Sequence, residues 1–154
     1  MLKKHLEIKK IAYQHCEDFV SNRSSRLKKQ VKELEEALTS ETKSSAGDKH
    51  ETGRAMVQLE REKLGNQLAE CEKMQELLNR VQPDSQNSTG GMGALIETAN
   101  QYYYIAISAG EVTWDGVSIY CISSATPIGK LLLGKTVRET FSFNGNTFSV
   151  LSIS

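Results

Sequence analysis

Val57, Leu64, Cys71 and Leu78 stand seven residues apart, and Leu68, Met74 and Val81 fill the same stripe; nothing else in this chain constrains its fold as strongly. A seven-residue apolar repeat fits a helix that buries one narrow seam against another helix. A matching stretch lies upstream, where Leu27, Val31, Leu34 and Leu38 follow Leu6, Ile8, Ile11, Ala12, Phe19 and Val20. The spacing predicts one helix from Leu2 to about Thr42 and a second from Thr52 to Val81, stopped by Pro83. The run "SNRSSR", Ser21 to Arg26, weakens the first helix without requiring a break. With the turn placed near Gly47, Val81 lies 34 residues after it and Tyr13 lies 34 before it, so the two arms match. At about 1.5 Å per residue each arm would reach roughly 50 Å. The expected arrangement is a long antiparallel coiled-coil hairpin; two separate seams in an obligate dimer are the alternative.

Charge divides the chain in the same way. Residues 1–81 hold 16 basic and 14 acidic side chains, and residues 82–154 hold only 8 charges of either sign. The net charge is zero, which argues against a generic grip on nucleic-acid phosphates. Cys16, Cys71 and Cys121 are odd in number and without CxxC spacing, as expected of reduced thiols in a cytoplasmic protein. The opening "MLKKHLEIKK" lacks the continuous apolar run of a signal peptide, and no segment approaches a membrane span. His5, His15 and His50 are too scattered to suggest a metal site.

The segment "QPDSQNSTGGMG", residues 82–93, reads as a linker, and strands follow from residue 94 to residue 154. "ALIET" and "YYYIAIS" flank a short turn at Ala99 and Asn100. Asp115-Gly116 and Asn144-Gly145 are hairpin signals between alternating apolar runs. In "TPIGKLLLGK", Thr126 suits a helix cap, Pro127 its first position and Gly134 its end. The fold class expected is therefore α+β: a helical hairpin, then a small antiparallel sheet with one short helix. Tyr102, Tyr104, Trp114, Phe141 and Phe148 are expected to pack in or on that sheet.

The patch between the helices, "SSAGDKHETGRAM", holds Asp48 and Glu51. A D-x-x-E pair at a helix start can act as a capping box and suits the positive end of the helix dipole. The same two carboxylates at the end of a long arm can instead supply part of a divalent-cation site that a second molecule completes.

The stretch "SSATPIGKLLLGKTVRETFSFNGNTFSVLSI", Ser123 to Ile153, closely resembles the end of the bacterial Gre transcript cleavage factors, and "GDKHET" resembles the tip of their coiled coil. In that family a Ser-Pro-Ile/Leu-Gly segment leads through leucines to Gly-Lys and two final strands, and Gly-Asp-x-x-Glu begins the second helix. The resemblance runs through the whole chain in order. It implies an FKBP-like sheet domain that docks on core RNA polymerase and a coiled coil that enters the secondary channel. There the tip acids, Asp48 and Glu51 here, would help hold a Mg²⁺ ion shared with the polymerase, which itself cleaves the 3′ end of backtracked RNA. The chain would thus stimulate hydrolysis rather than catalyse it alone, acting as a monomer without contact to membrane. Thr126, Pro127, Ile128 and Gly129 fall in the loop that would meet the polymerase, and Lys49, His50 and Arg54 are candidates for an RNA-phosphate contact or for offsetting the acids.

Where the family continues with Asn-Ala-Glu-Tyr, this chain has Thr52, Gly53, Arg54 and Ala55. A regulator that occupies the channel without stimulating cleavage is therefore a second expectation. An FKBP-like isomerase or chaperone, and a purely structural coiled-coil dimer, are a third and a fourth.

Overall fold

The computed structural model describes residues 2–42 and 47–154, with side chains described outside residue 2 and residues 41–52. Two long helices come first, α1 (Leu2–Thr42) and α2 (Gly47–Arg80). They are followed by β1 (Leu95–Glu97), β2 (Tyr102–Ala106), β3 (Gly110–Trp114), β4 (Val117–Ser123), the short helix α3 (Pro127–Leu132), β5 (Thr140–Phe143), β6 (Asn146–Ser149) and β7 (Ser152–Ile153). The chain is α+β, and none of the described helices is long and apolar enough to cross a membrane.

Helix α1 has the expected bounds. Helix α2 starts at Gly47, ahead of the expected Thr52. No proline lies in this stretch, the acids Asp48 and Glu51 favour the positive helix start, and the cost of about 1 kcal/mol at Gly53 does not stop the helix. Gly47, where the turn was expected, is thus the first residue of α2, and residues 43–46 lie outside the described residues.

The chain divides into two compact units. One of them, Val20–Met74, is purely helical among its described residues. Its apolar repeat is legible as burial: Val20, Leu27, Leu64 and Cys71 are buried, and Val31, Leu34, Leu38, Val57, Leu68 and Met74 are half-buried. The charged residues described around them are exposed apart from the half-buried Arg23, as the surface of an amphipathic helix requires. Arg61 donates to Glu35 Oε1 at 3.0 Å, linking α2 to α1, although both side chains are half exposed and the pair adds little stability.

The other unit joins Met1–Phe19 to Gln75–Ser154. Its main sheet has the order β3-β4-β2-β1-β7. The expectation of an all-antiparallel sheet is corrected here, because β2 and β4 run parallel, with Tyr102 opposite Ile119 and Tyr104 opposite Cys121. Hairpin β3-β4 turns at Asp115-Gly116, both at positive φ, and inserts β4 between β3 and β2. Burial explains the order: β4 carries Ile119 and Cys121 into the core, whereas β3 is mostly exposed and suits an edge. The expected last strand is also interrupted, since β6 pairs with β5 in a separate two-stranded sheet while β7 returns to β1.

Both faces of the main sheet are covered, which is why all five residues of β2 are buried. Because side chains alternate along a strand, Tyr103 and Ile105 point to one face and Tyr102 and Tyr104 to the other. On the first face Ile96, Tyr103, Ile105, Leu132, Phe141 and Val150 form a core with Ile128 and Phe148 against it. Against the second lies α1, whose buried residues His5, Ile8, Lys9, Ala12 and Cys16 follow helical spacing. The His5 and Tyr102 rings meet edge to face at 6.0 Å, and the Cys121 thiol approaches the Ala12 carbonyl at 3.8 Å. Tyr104 is fully buried there, and its hydroxyl has no hydrogen-bond partner among the described residues.

Candidate functional site

Asp48 and Glu51 occupy the opening turns of α2, immediately after the stretch 43–46. Residues three apart on a helix share a face, so the backbone places both acids on one side of its start. Their side chains, with those of Lys49 and His50, lie outside the described part of the structure. Arg54 is exposed one turn further on, and beyond it Met56 and Leu59 stand exposed as well. Among the described residues no three His, Cys, Asp or Glu side chains gather as a metal site.

The residues from Thr126 to Gly129 form the start of α3. Thr126 caps the helix: its Oγ1 accepts from the Gly129 amide at 3.1 Å and its hydroxyl donates to the Ser123 carbonyl at 2.7 Å. Pro127 takes the first helical position and is exposed. Ile128 packs against the core, and Gly129 is buried. A Cβ on Gly129 would lie 2.1 Å from the Ser123 carbonyl oxygen, so only glycine lets the helix start pass this close to the end of β4. Of the four residues expected to meet a partner, Pro127 alone presents an exposed side chain.

Sequence reasoning missed the bonding of residues 82–93. The Lys9 ammonium, buried on α1, donates to the Ser85 carbonyl at 2.6 Å, and burial lowers its pKa. Asn87 reaches the carbonyls of Gly93 and Ser154, and Gly90 exchanges backbone hydrogen bonds with Lys135 and Gly134, each 2.8 Å. The signal was present in "STGGMG": a Cβ on Gly90 would lie 1.9 Å from the Leu132 carbonyl oxygen, a close approach that only glycine allows.

Also missed was a pocket of about 340 Å³ between the sheet, α3 and the β5-β6 hairpin, lined by Tyr103, Tyr120, Ile122, Ile128, Phe143 and Phe148, with Gln101, Asn144 and Asn146 at its polar edge. The Tyr103 and Tyr120 rings lie 6.1 Å apart, and the Tyr103 hydroxyl bonds Gln101. A hydrogen bond to the Glu111 carboxylate raises the Tyr120 pKa. Strand alternation in "YYYIA" and "VSIYCIS" could have shown these rings on one face, but not the hairpin that closes over them.

A third cluster ties α1 to the sheet. Glu97 accepts from the Tyr102 hydroxyl at 2.7 Å and from the Ser152 hydroxyl at 3.0 Å, and His5 Nε2 lies 3.8 Å from its carboxylate. Burial and this bond to Glu97 push the Tyr102 phenol up to about 12. Glu97 is thus shared between the Ser152 hydroxyl of β7 and the His5 imidazole of α1.

Compared with known proteins, the chain matches no family model and no curated protein.

Proposed function

We propose that the chain is a Gre-like transcription elongation factor, which docks its sheet domain on core RNA polymerase and passes its helical arm through the secondary channel. The observation that carries this reading is the start of α2: the helix opens on Gly47, so Asp48 and Glu51 sit at the end of a 34-residue helix that follows a 41-residue one along the chain. Within the unit Met1–Phe19 with Gln75–Ser154, Lys9 bonds to Ser85 and Tyr13 to Leu78. Partners thus descend as α1 ascends, the sense of an antiparallel coiled-coil pair. The mixed sheet with α3 packed on one face suits an FKBP-like domain.

Hard carboxylate oxygens fit Mg²⁺, and two of them leave an octahedron to be completed by other groups, which suits an ion shared with the polymerase. The ion supplies charge to polarise water and phosphate during RNA hydrolysis. The chain's own part is positional: the two acids deliver negative oxygens, and Lys49 and Arg54 offer positive charge to the 3′ RNA phosphate. The test is a stalled, backtracked polymerase complex with Mg²⁺, in which the protein shortens the RNA. Occupation of the channel without shortening would identify the non-cleaving regulator that Thr52 to Ala55 leave open.

A second reading draws on the pocket between Tyr103, Tyr120, Phe143 and Phe148. An aromatic-lined pocket with amide side chains at its edge is suited to a proline-bearing peptide, as an isomerase or chaperone requires. A prolyl isomerisation assay on a short peptide separates it from the first.

A further inference from the structure

Seven large apolar side chains stand exposed among the described residues, and four of them, Met92, Leu131, Leu133 and Val137, belong to α3 and the loops beside it. Leu131 and Leu133 close α3, and Val137 follows four residues later. Gly90, bonded to Gly134 and Lys135, brings the Met92 loop alongside. Scattered exposed leucines need no explanation, but three exposed apolar residues within the seven from Leu131 to Val137 do.

The charge of this segment has one sign. Between Ser123 and Arg138 the chain carries Lys130, Lys135 and Arg138 and no acid. Lys135 lies 3.9 Å from Glu139, whose carboxylate is drawn toward the Thr136 hydroxyl at 2.7 Å and amide at 3.1 Å. Neither Lys130 nor Arg138 has an ion pair among the described residues.

Arg138 adds an independent observation. Its φ is 78°, in the left-handed region that is strained for a residue carrying a side chain. The backbone is held there by the bond from its amide to the Val150 carbonyl at 2.8 Å and by Glu139 to Thr136 at 3.1 Å. Glycine would occupy this position without strain, yet the chain keeps a long cation. Strain retained at an exposed position points to a use for the side chain.

We infer that Leu131, Leu133 and Val137, flanked by Lys130 and Arg138, form the docking face, and that its occupant is an acidic protein surface with exposed apolar side chains. The inference rests on the polymerase-docking reading and moves the contact away from Thr126, Ile128 and Gly129, which are engaged in building α3. Apolar side chains supply the buried centre of such an interface, and the cations at its edge select an acidic partner and speed its approach.

The experiment is equilibrium binding of the full chain to purified core RNA polymerase, with Leu133→Ser, Lys130→Glu and Arg138→Gly and with Leu151→Ser as an exposed apolar control. The wild type and Leu151→Ser bind alike, and each of the other three weakens binding about tenfold or more while thermal unfolding stays at the wild-type temperature or, for Arg138→Gly, above it. Added salt weakens the wild type more than Lys130→Glu. Wild-type affinity in all three variants overturns the inference and leaves the polymerase reading standing. Absence of any wild-type binding removes that reading and the inference with it.

Discussion

Gly129 gives its amide proton to Thr126 Oγ1 across 3.1 Å, and the Thr126 hydroxyl in turn holds the Ser123 carbonyl. This chain of two bonds fixes α3 to the end of β4, so its loss is expected to act on stability. Thr126→Ala should lower the unfolding free energy by about 1 kcal/mol, the usual cost of a lost helix cap. Gly129→Ala should cost about 2–3 kcal/mol, because its Cβ meets backbone that cannot move aside. Urea denaturation measures both, and wild-type midpoints would show that these residues serve something other than the fold.

Tyr104 presents the opposite case. Its hydroxyl is buried without a partner among the described residues, and burial drives its pKa upward. Tyr104→Phe removes an unsatisfied polar atom while keeping the ring, so stability should rise by about 1 kcal/mol. The check is a higher urea midpoint with an unchanged slope. A lower midpoint would mean that the hydroxyl is bonded in solution.

Alkaline pH should act through Tyr102. Its phenol ionises near 12 in the fold against an ordinary value of 10.0, so the folded state favours the neutral form. That contribution is complete below pH 10 and is lost as pH rises from about 10 to 12. Stability followed against pH should fall across this window, and the fall should be shallower in Tyr102→Phe. Equal slopes in the two proteins would remove the assignment.

Under the proposed function, Asp48→Asn and Glu51→Gln at the start of α2 should each abolish most RNA shortening in backtracked complexes while leaving the affinity for polymerase near the wild-type level. Each removes one charged oxygen donor from a shared site, for which losses of one hundredfold or more are on the expected order. Unchanged cleavage in both variants would separate these acids from the chemistry.

Periodicity made the helices legible because an apolar residue at every seventh position suits a buried helical seam and little else. Local chemistry made α3 legible too, where Thr126, Pro127 and Gly134 each do what their type predicts. The parallel pairing of β2 with β4 was not legible. Asp115-Gly116 specifies the hairpin β3-β4 but says nothing about which of its strands joins β2, a choice made by burial of Ile119 and Cys121 against α1. For the same reason the sequence did not show that Ile128, named for a partner contact, is half-buried against the core. Local sequence signals helix starts well, but which side of a six-residue helix is covered depends on strands far along the chain.

One face of the main sheet is closed by a helix that lies far upstream of its strands in the sequence. During synthesis Ile8 emerges 87 residues before Leu95, a delay of roughly 4 to 17 seconds at ordinary ribosomal rates. Throughout that interval the stripe of Ile8, Ala12 and Cys16 has no sheet to cover it. A fragment beginning at Ala94 would leave Tyr104 and Cys121 without their cover, a poor candidate for expression as an isolated domain.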